Sequence, residues 1–136
     1  MKLDMPVAEM MTKNVVSVKP NQNLSDVKEL FSNEKFHYNI PVIENGELKG
    51  MVVLTDFIFA IKNEPELREE NDYSDLRVKD VMRERVYTVT PTTTVREAAR
   101  IFSDGEVHTV MVAENNQLQG ILSSADILKW LIKTQP

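Results

Sequence analysis

The sequence predicts a mixed α/β fold in which one β-α-β-β-α unit is used twice. Three observations predict it: an internal repeat, matching apolar periods in both copies, and turn and cap residues at corresponding boundaries. A shift of 71 residues pairs Val7, Met11, Val15, Val18, Pro20, Phe31, Ser32 and His37 with Val78, Met82, Val86, Val89, Pro91, Phe102, Ser103 and His108. After a one-residue deletion near Tyr38, a shift of 70 pairs Val42, Glu44, Asn45, Leu48, Gly50 and Asp56 with Val112, Glu114, Asn115, Leu118, Gly120 and Asp126. All of these pairs are identities, so the chain is a tandem duplication.

Each copy opens on a short amphipathic turn, Val7 to Met11 or Val78 to Met82. An alternating strand follows, Val15 to Val18 or Val86 to Val89, ended by Pro20 or Pro91. The next segment is helical: Leu24, Val27, Leu30 and Phe31, then Val95, Ala98, Ile101 and Phe102, recur at three- and four-residue spacing. Thr94 and Glu97 form a capping box, and Asn23 with Asp26 a looser one. A hairpin runs from Ile40–Ile43 through Asn45-Gly46 into Leu48–Val53, and its second copy turns at Asn115-Asn116. The closing helix starts at Thr55 or Asp56 in one copy and at Ser124 or Asp126 in the other. The expected boundaries are residues 1–61 for the first repeat, 62–77 for an acidic linker or helix extension, and 78–136 for the second, together one module. The segment 62–77 carries Glu64, Glu66, Glu69, Glu70, Asp72 and Asp75 against Lys62, Arg68 and Arg77, the pattern of solvated surface or of an acidic docking segment.

Composition narrows function. The 136 residues are 42% hydrophobic and 27% charged, which suits a globular chain able to bury a core. Cysteine is absent, which removes disulfides, thiolate nucleophiles and cysteine-ligated zinc, and His37 and His108 are too few for a histidine-rich metal site. A net charge of −5 disfavours extended nucleic-acid binding but not a small phosphorylated ligand held at one helix end. Asp4, Pro6 and Glu9 interrupt the apolar stretch a secretory leader needs, and no run is long enough to span a membrane, so a soluble, cytoplasmic protein is expected. With four glycines there is no phosphate-cradling loop, and Ser, His and Asp occur without a nucleophile elbow, so catalysis is not expected.

The strings Glu106-Val107-His108 and Gly120-Ile121-Leu122-Ser123-Ser124-Ala125-Asp126, in a duplicated unit of this order, resemble the cystathionine-beta-synthase (CBS) domain family. The resemblance covers both repeats. It implies a CBS pair, or Bateman module, packed with pseudo-twofold symmetry, with clefts that bind AMP, ADP, ATP, S-adenosylmethionine or related ligands. It implies no catalysis and no required cofactor, regulation of a partner enzyme or transporter, and a homodimer of modules. The competing reading is a nucleotide-free scaffold for dimerisation or protein docking.

By this resemblance Val86, Tyr87 and Ile121 line an adenine slot and His108 faces the phosphates, with Val15, Val16, Met51 and His37 as first-copy counterparts. A carboxylate in the first turn of a helix, Asp126 or Asp56, can accept both hydroxyls of a ribose, and free backbone N–H groups beside it attract phosphate. Ser123 offers a hydroxyl to phosphate and Ser124 an N-cap. In the first copy Val53 replaces that serine and Thr55 is the substitute hydroxyl, so the Asp126 cleft is favoured. Other roles stay open: both aspartates suit a helix start without any ligand, the histidines suit half-buried structural positions, and Tyr87 suits strand packing. Met5, Met10 and Met11 suit core filling or a contact edge, and Ile127, Trp130 and Leu131 form one apolar helix face.

Overall fold

The computed structural model describes residues 3–32, 38–63 and 75–134. The chain divides into two compact units, Val16–Arg85 on the one hand and Met1–Val15 with Val86–Pro136 on the other. The units are out of phase with the sequence repeat, because the opening segment of each copy packs with the body of the other.

In the unit Val16–Arg85, helix α1 (Leu24–Ser32) precedes the hairpin of β1 (Asn39–Glu44) and β2 (Glu47–Val53). Helix α2 (Leu54–Asn63) follows, and the short helix α3 (Val78–Val81) closes the unit. The hairpin turns at Asn45 and Gly46, with φ of 52° and 78°, and a register shift falls between Val42 and Ile43. Leu24, Val27, Phe31, Ile40, Val42, Val52 and Phe57 form the core, joined by Val78 from the second repeat. The Phe31 and Phe57 rings tilt against each other with centroids 4.9 Å apart.

In the other unit a 3-10 turn (Val7–Glu9) is followed, after the excursion, by β3 (Thr88–Val89) and α4 (Val95–Phe102). Then come β4 (Thr109–Glu114), β5 (Gln117–Ser123) and α5 (Ser124–Thr134). The sheet order is β3-β4-β5, the first pair parallel and the second antiparallel. The Thr94–Glu97 capping box forms, with Glu97 N–H donating to Thr94 Oγ1 at 3.1 Å and Thr94 N–H to Glu97 Oε2 at 3.3 Å. Val95, Ala98, Phe102, Val110, Val112, Leu122 and Ile127 form the core, completed by Val7 from the first repeat. Met5, Met10, Met11 and Leu131 pack around it, so these methionines fill the core of their unit.

The exchange of Val7 and Val78 is held by equivalent hydrogen bonds. Val7 N–H donates to Thr93 O at 2.7 Å and Ala8 N–H to Pro91 O at 3.2 Å; Val78 N–H donates to Gln22 O and Lys79 N–H to Pro20 O, both at 2.9 Å. Both valines are fully buried.

Three local expectations are corrected. The strand expected at Val15–Val18 reduces to a single parallel bridge between Val18 and Val42, whereas β3 spans Thr88–Val89 rather than Val86–Val89. The cause of the difference lies in the neighbour: Met111 N–H donates to Tyr87 O at 2.9 Å, but the matching position in β1 is Pro41, which has no N–H to give. The closing helices begin directly where β2 and β5 end, at Leu54 rather than Thr55 or Asp56 in the first repeat and at Ser124, one of its two expected starts, in the second. Ser124 is already helical, and Ser123 provides the cap. In the linker α2 ends at Asn63, and residues 64–74 lie outside the described residues.

Candidate functional site

A strand that runs straight into a helix fixes the side chains at the junction. In the second repeat, Ser123 N–H donates to Asp126 Oδ2 at 2.8 Å and Asp126 N–H donates to Ser123 Oγ at 3.2 Å. This reciprocal pair is a capping box with aspartate in the usual glutamate position. Ser124 N–H donates to His108 O at 2.9 Å. Two first-turn N–H groups are thus committed, so this helix end offers an anion fewer donors than an open one would.

The sheet brings the remaining candidates of this unit together. Thr88, Met111 and Ile121 are in register across β3, β4 and β5, so Tyr87 enters the sheet one residue from the row that contains Ile121. Tyr87 is 52% exposed, which leaves much of the residue open to solvent. Val86, Ile121, Ser123 and Asp126 are half-buried. His108 is exposed, so the half-buried structural role expected for it does not hold.

The first repeat differs in its electrostatics. Arg83 pairs with Met51 by reciprocal backbone hydrogen bonds of 2.9 and 2.8 Å, which lays its side chain beside the end of β2. From there the guanidinium grips Asp56 with Nε to Oδ2 at 2.7 Å and Nη2 to Oδ1 at 3.1 Å. The hydrogen bond to Asp56 raises the Arg83 pKa above its ordinary value. In the other unit Thr12 makes the same backbone pairing with Ile121, at 2.8 and 3.0 Å. Its short side chain has no such fork, and no described cation pairs with Asp126.

These pairings also explain the glycine of each signature. A Cβ on Gly50 would collide with the Arg83 carbonyl oxygen, and one on Gly120 would lie 2.7 Å from the Thr12 oxygen. The glycines admit the crossing backbone rather than a ligand.

The other first-copy candidates are less assembled. Val15 falls in the compact unit of Asp126, while Val16, Met51, Thr55 and Asp56 share the other. Val16, the counterpart of Tyr87, is exposed like it; Met51 is half-buried and Thr55 exposed. His37 lies outside the described residues. Leu54 N–H donates to Tyr38 O at 2.8 Å as Ser124 N–H does to His108 O, so Tyr38 holds in the first repeat the backbone position that His108 holds in the second. Arg83 and Tyr38 were not among the sequence candidates. Arg83 aligned with Thr12, a change of charge within an otherwise matched repeat, was the available signal.

The family model for the CBS domain matches residues 7–63 and 78–133. The chain belongs to the CBS-domain family. Among curated relatives, the uncharacterized protein MJ0188 from Methanocaldococcus jannaschii is 33% identical over 138 residues, covering 98% of this chain and 47% of that protein. The chain spans less than half the length of the first curated relatives it matches. Among solved structures, CBSX2 in complex with AMP has a TM-score of 0.78 at 25% identity, covering 95% of this chain and 97% of that one. The CBS domain pair of MJ0100, in complex with 5′-methylthioadenosine and S-adenosylmethionine, has a TM-score of 0.76 at 17% identity, covering 93% of this chain and 99% of that one. The arrangement is thus a mixed α/β pair of CBS repeats, and no helix among the described residues is long and apolar enough to cross a membrane.

Proposed function

We propose that this CBS pair is a non-catalytic regulatory module that binds an adenosine-containing ligand, with Asp126 as its principal anchor. The observation that carries the reading is the Asp126 carboxylate: half-buried, fixed by Ser123, and facing no described cation. Oδ2 is held by the Ser123 N–H, which leaves Oδ1 and the remaining lone pairs to accept ribose hydroxyls. The Ser123 hydroxyl oxygen accepts from Asp126 N–H, so its proton is left to donate to a phosphate. Tyr87, Val86 and Ile121 supply an apolar bed for adenine, and exposed His108 a phosphate contact. The AMP complex of CBSX2 supports an adenosyl ligand for this fold, among AMP, ADP, ATP and S-adenosylmethionine. Regulation of an enzyme or transporter in the cytoplasm, with the ligand as signal, completes this reading.

Thermal unfolding with AMP, ADP, ATP, S-adenosylmethionine and NAD tests it. A ligand at about one hundred times its Kd stabilises the native state by about 2.7 kcal/mol, a shift of several degrees. No shift with any of them sinks the reading, and release of phosphate from ATP sinks its non-catalytic part.

A docking role is favoured by one further observation. Leu128 and Ile132 on α5 and Ile58 and Phe59 on α2 are large apolar residues left largely open to solvent. These helices are proposed to meet a second copy in a homodimer. A scaffold that binds no nucleotide would keep this contact and lose the thermal shifts.

A further inference from the structure

We infer that Arg83 sets the two repeats apart as ligand sites: its guanidinium competes with the ribose for Asp56, leaving the Asp126 site the tighter one. This rests on the adenosyl-binding reading above. A ribose diol and the Nε–Nη2 edge of a guanidinium each present two adjacent donors, so they seek the same edge of a carboxylate. At 2.7 and 3.1 Å the arginine fork already engages both oxygens of Asp56. The fork is anchored through the Arg83–Met51 backbone pairing, so it is delivered to Asp56 by the fold. Thr12 at the equivalent pairing in the other unit gives Asp126 no such competitor.

The pair is displaceable. The Arg83 side chain is 53% exposed and that of Asp56 is 32% exposed, so the pair is screened by water and its rupture weakens a competing ligand by about fivefold at most. The Asp56 site is therefore handicapped rather than closed.

Calorimetric titration with AMP tests this on the full chain. Asp126→Ala isolates the Asp56 site, and adding Arg83→Thr, the residue found at the equivalent position, should tighten the remaining binding by about two- to fivefold. Arg83→Lys, which keeps charge without the fork, should give a smaller gain, and adding Asp56→Ala should erase the gain. Melting temperatures of the variants report folding independently. Unchanged or weaker binding in Asp126→Ala/Arg83→Thr, with wild type still binding through Asp126, overturns this inference alone. Absence of binding in wild type and in Arg83→Thr overturns the adenosyl reading and this inference together.

Discussion

Ser123 and Asp126 hold each other through two hydrogen bonds, 2.8 Å from the serine N–H to the carboxylate and 3.2 Å from the aspartate N–H to the hydroxyl. The same carboxylate therefore caps a helix and offers a ligand anchor, and the two roles separate by substitution. Asp126→Asn keeps an oxygen for the Ser123 N–H, so stability should fall by no more than about 1 kcal/mol. Losing the charge-assisted bonds to ribose should weaken AMP by roughly ten- to a hundredfold. Chemical denaturation and calorimetry on one preparation read both effects.

Tyr87 presents a large ring to solvent, so its removal should cost the fold little. Base–aromatic stacking is worth about 1 to 3 kcal/mol. Tyr87→Ala should weaken AMP at least about fivefold with the melting temperature nearly unchanged, and Tyr87→Phe should restore binding. A large loss of stability in Tyr87→Ala would return the ring to a packing role.

Val7 and Val78 complete cores that belong to the opposite repeats. Truncating either to alanine removes two buried methyl groups and leaves a void, so each should cost about 2 kcal/mol by denaturant unfolding. A fragment of residues 78–136 lacks Val7 and its hydrogen bonds to the segment before α4. Circular dichroism should find it unfolded or far less stable than the whole chain.

Gly50 and Gly120 give way to backbone oxygens of Arg83 and Thr12. Alanine at either should destabilise by about 1 to 3 kcal/mol through overpacking. Gly50→Ala should also loosen the Arg83–Asp56 pair, since Arg83 is the residue displaced. Unfolding curves that match wild type would contradict this use of the glycines.

Leu128 and Ile132 stand four residues apart on α5, with Ile132 77% exposed. Leu128→Glu/Ile132→Glu should convert a dimer to a monomer in sedimentation while leaving the monomer folded. A wild-type monomer at high concentration would remove the dimer proposal.

The repeated cores were legible because their periods are local: Leu24, Val27 and Phe31, like Val95, Ala98 and Phe102, announce a helix face by spacing alone. Asn45-Gly46 and the Thr94–Glu97 box were equally readable, since each acts within four residues. The exchange of Val7 and Val78 was not, because their turns look the same whichever core receives them. The loss of the first strand was written at Pro41, the position equivalent to Met111, but only the β1 register makes that proline a missing donor. Asp126 was visible as a candidate, and its bond to Ser123 needed the direct passage from β5 to α5. The Arg83–Asp56 pair spans 27 residues and depends on the crossing at Met51, so neither residue's neighbours reveal it.

Titration of the wild-type chain and Asp126→Asn with AMP tests the central claim most directly. The account predicts saturable binding to wild type and a ten- to a hundredfold loss at the Asp126 site in the variant. Equal binding by the two proteins would remove Asp126 from the site, and absence of binding to AMP, ADP, ATP and S-adenosylmethionine alike would leave a docking scaffold.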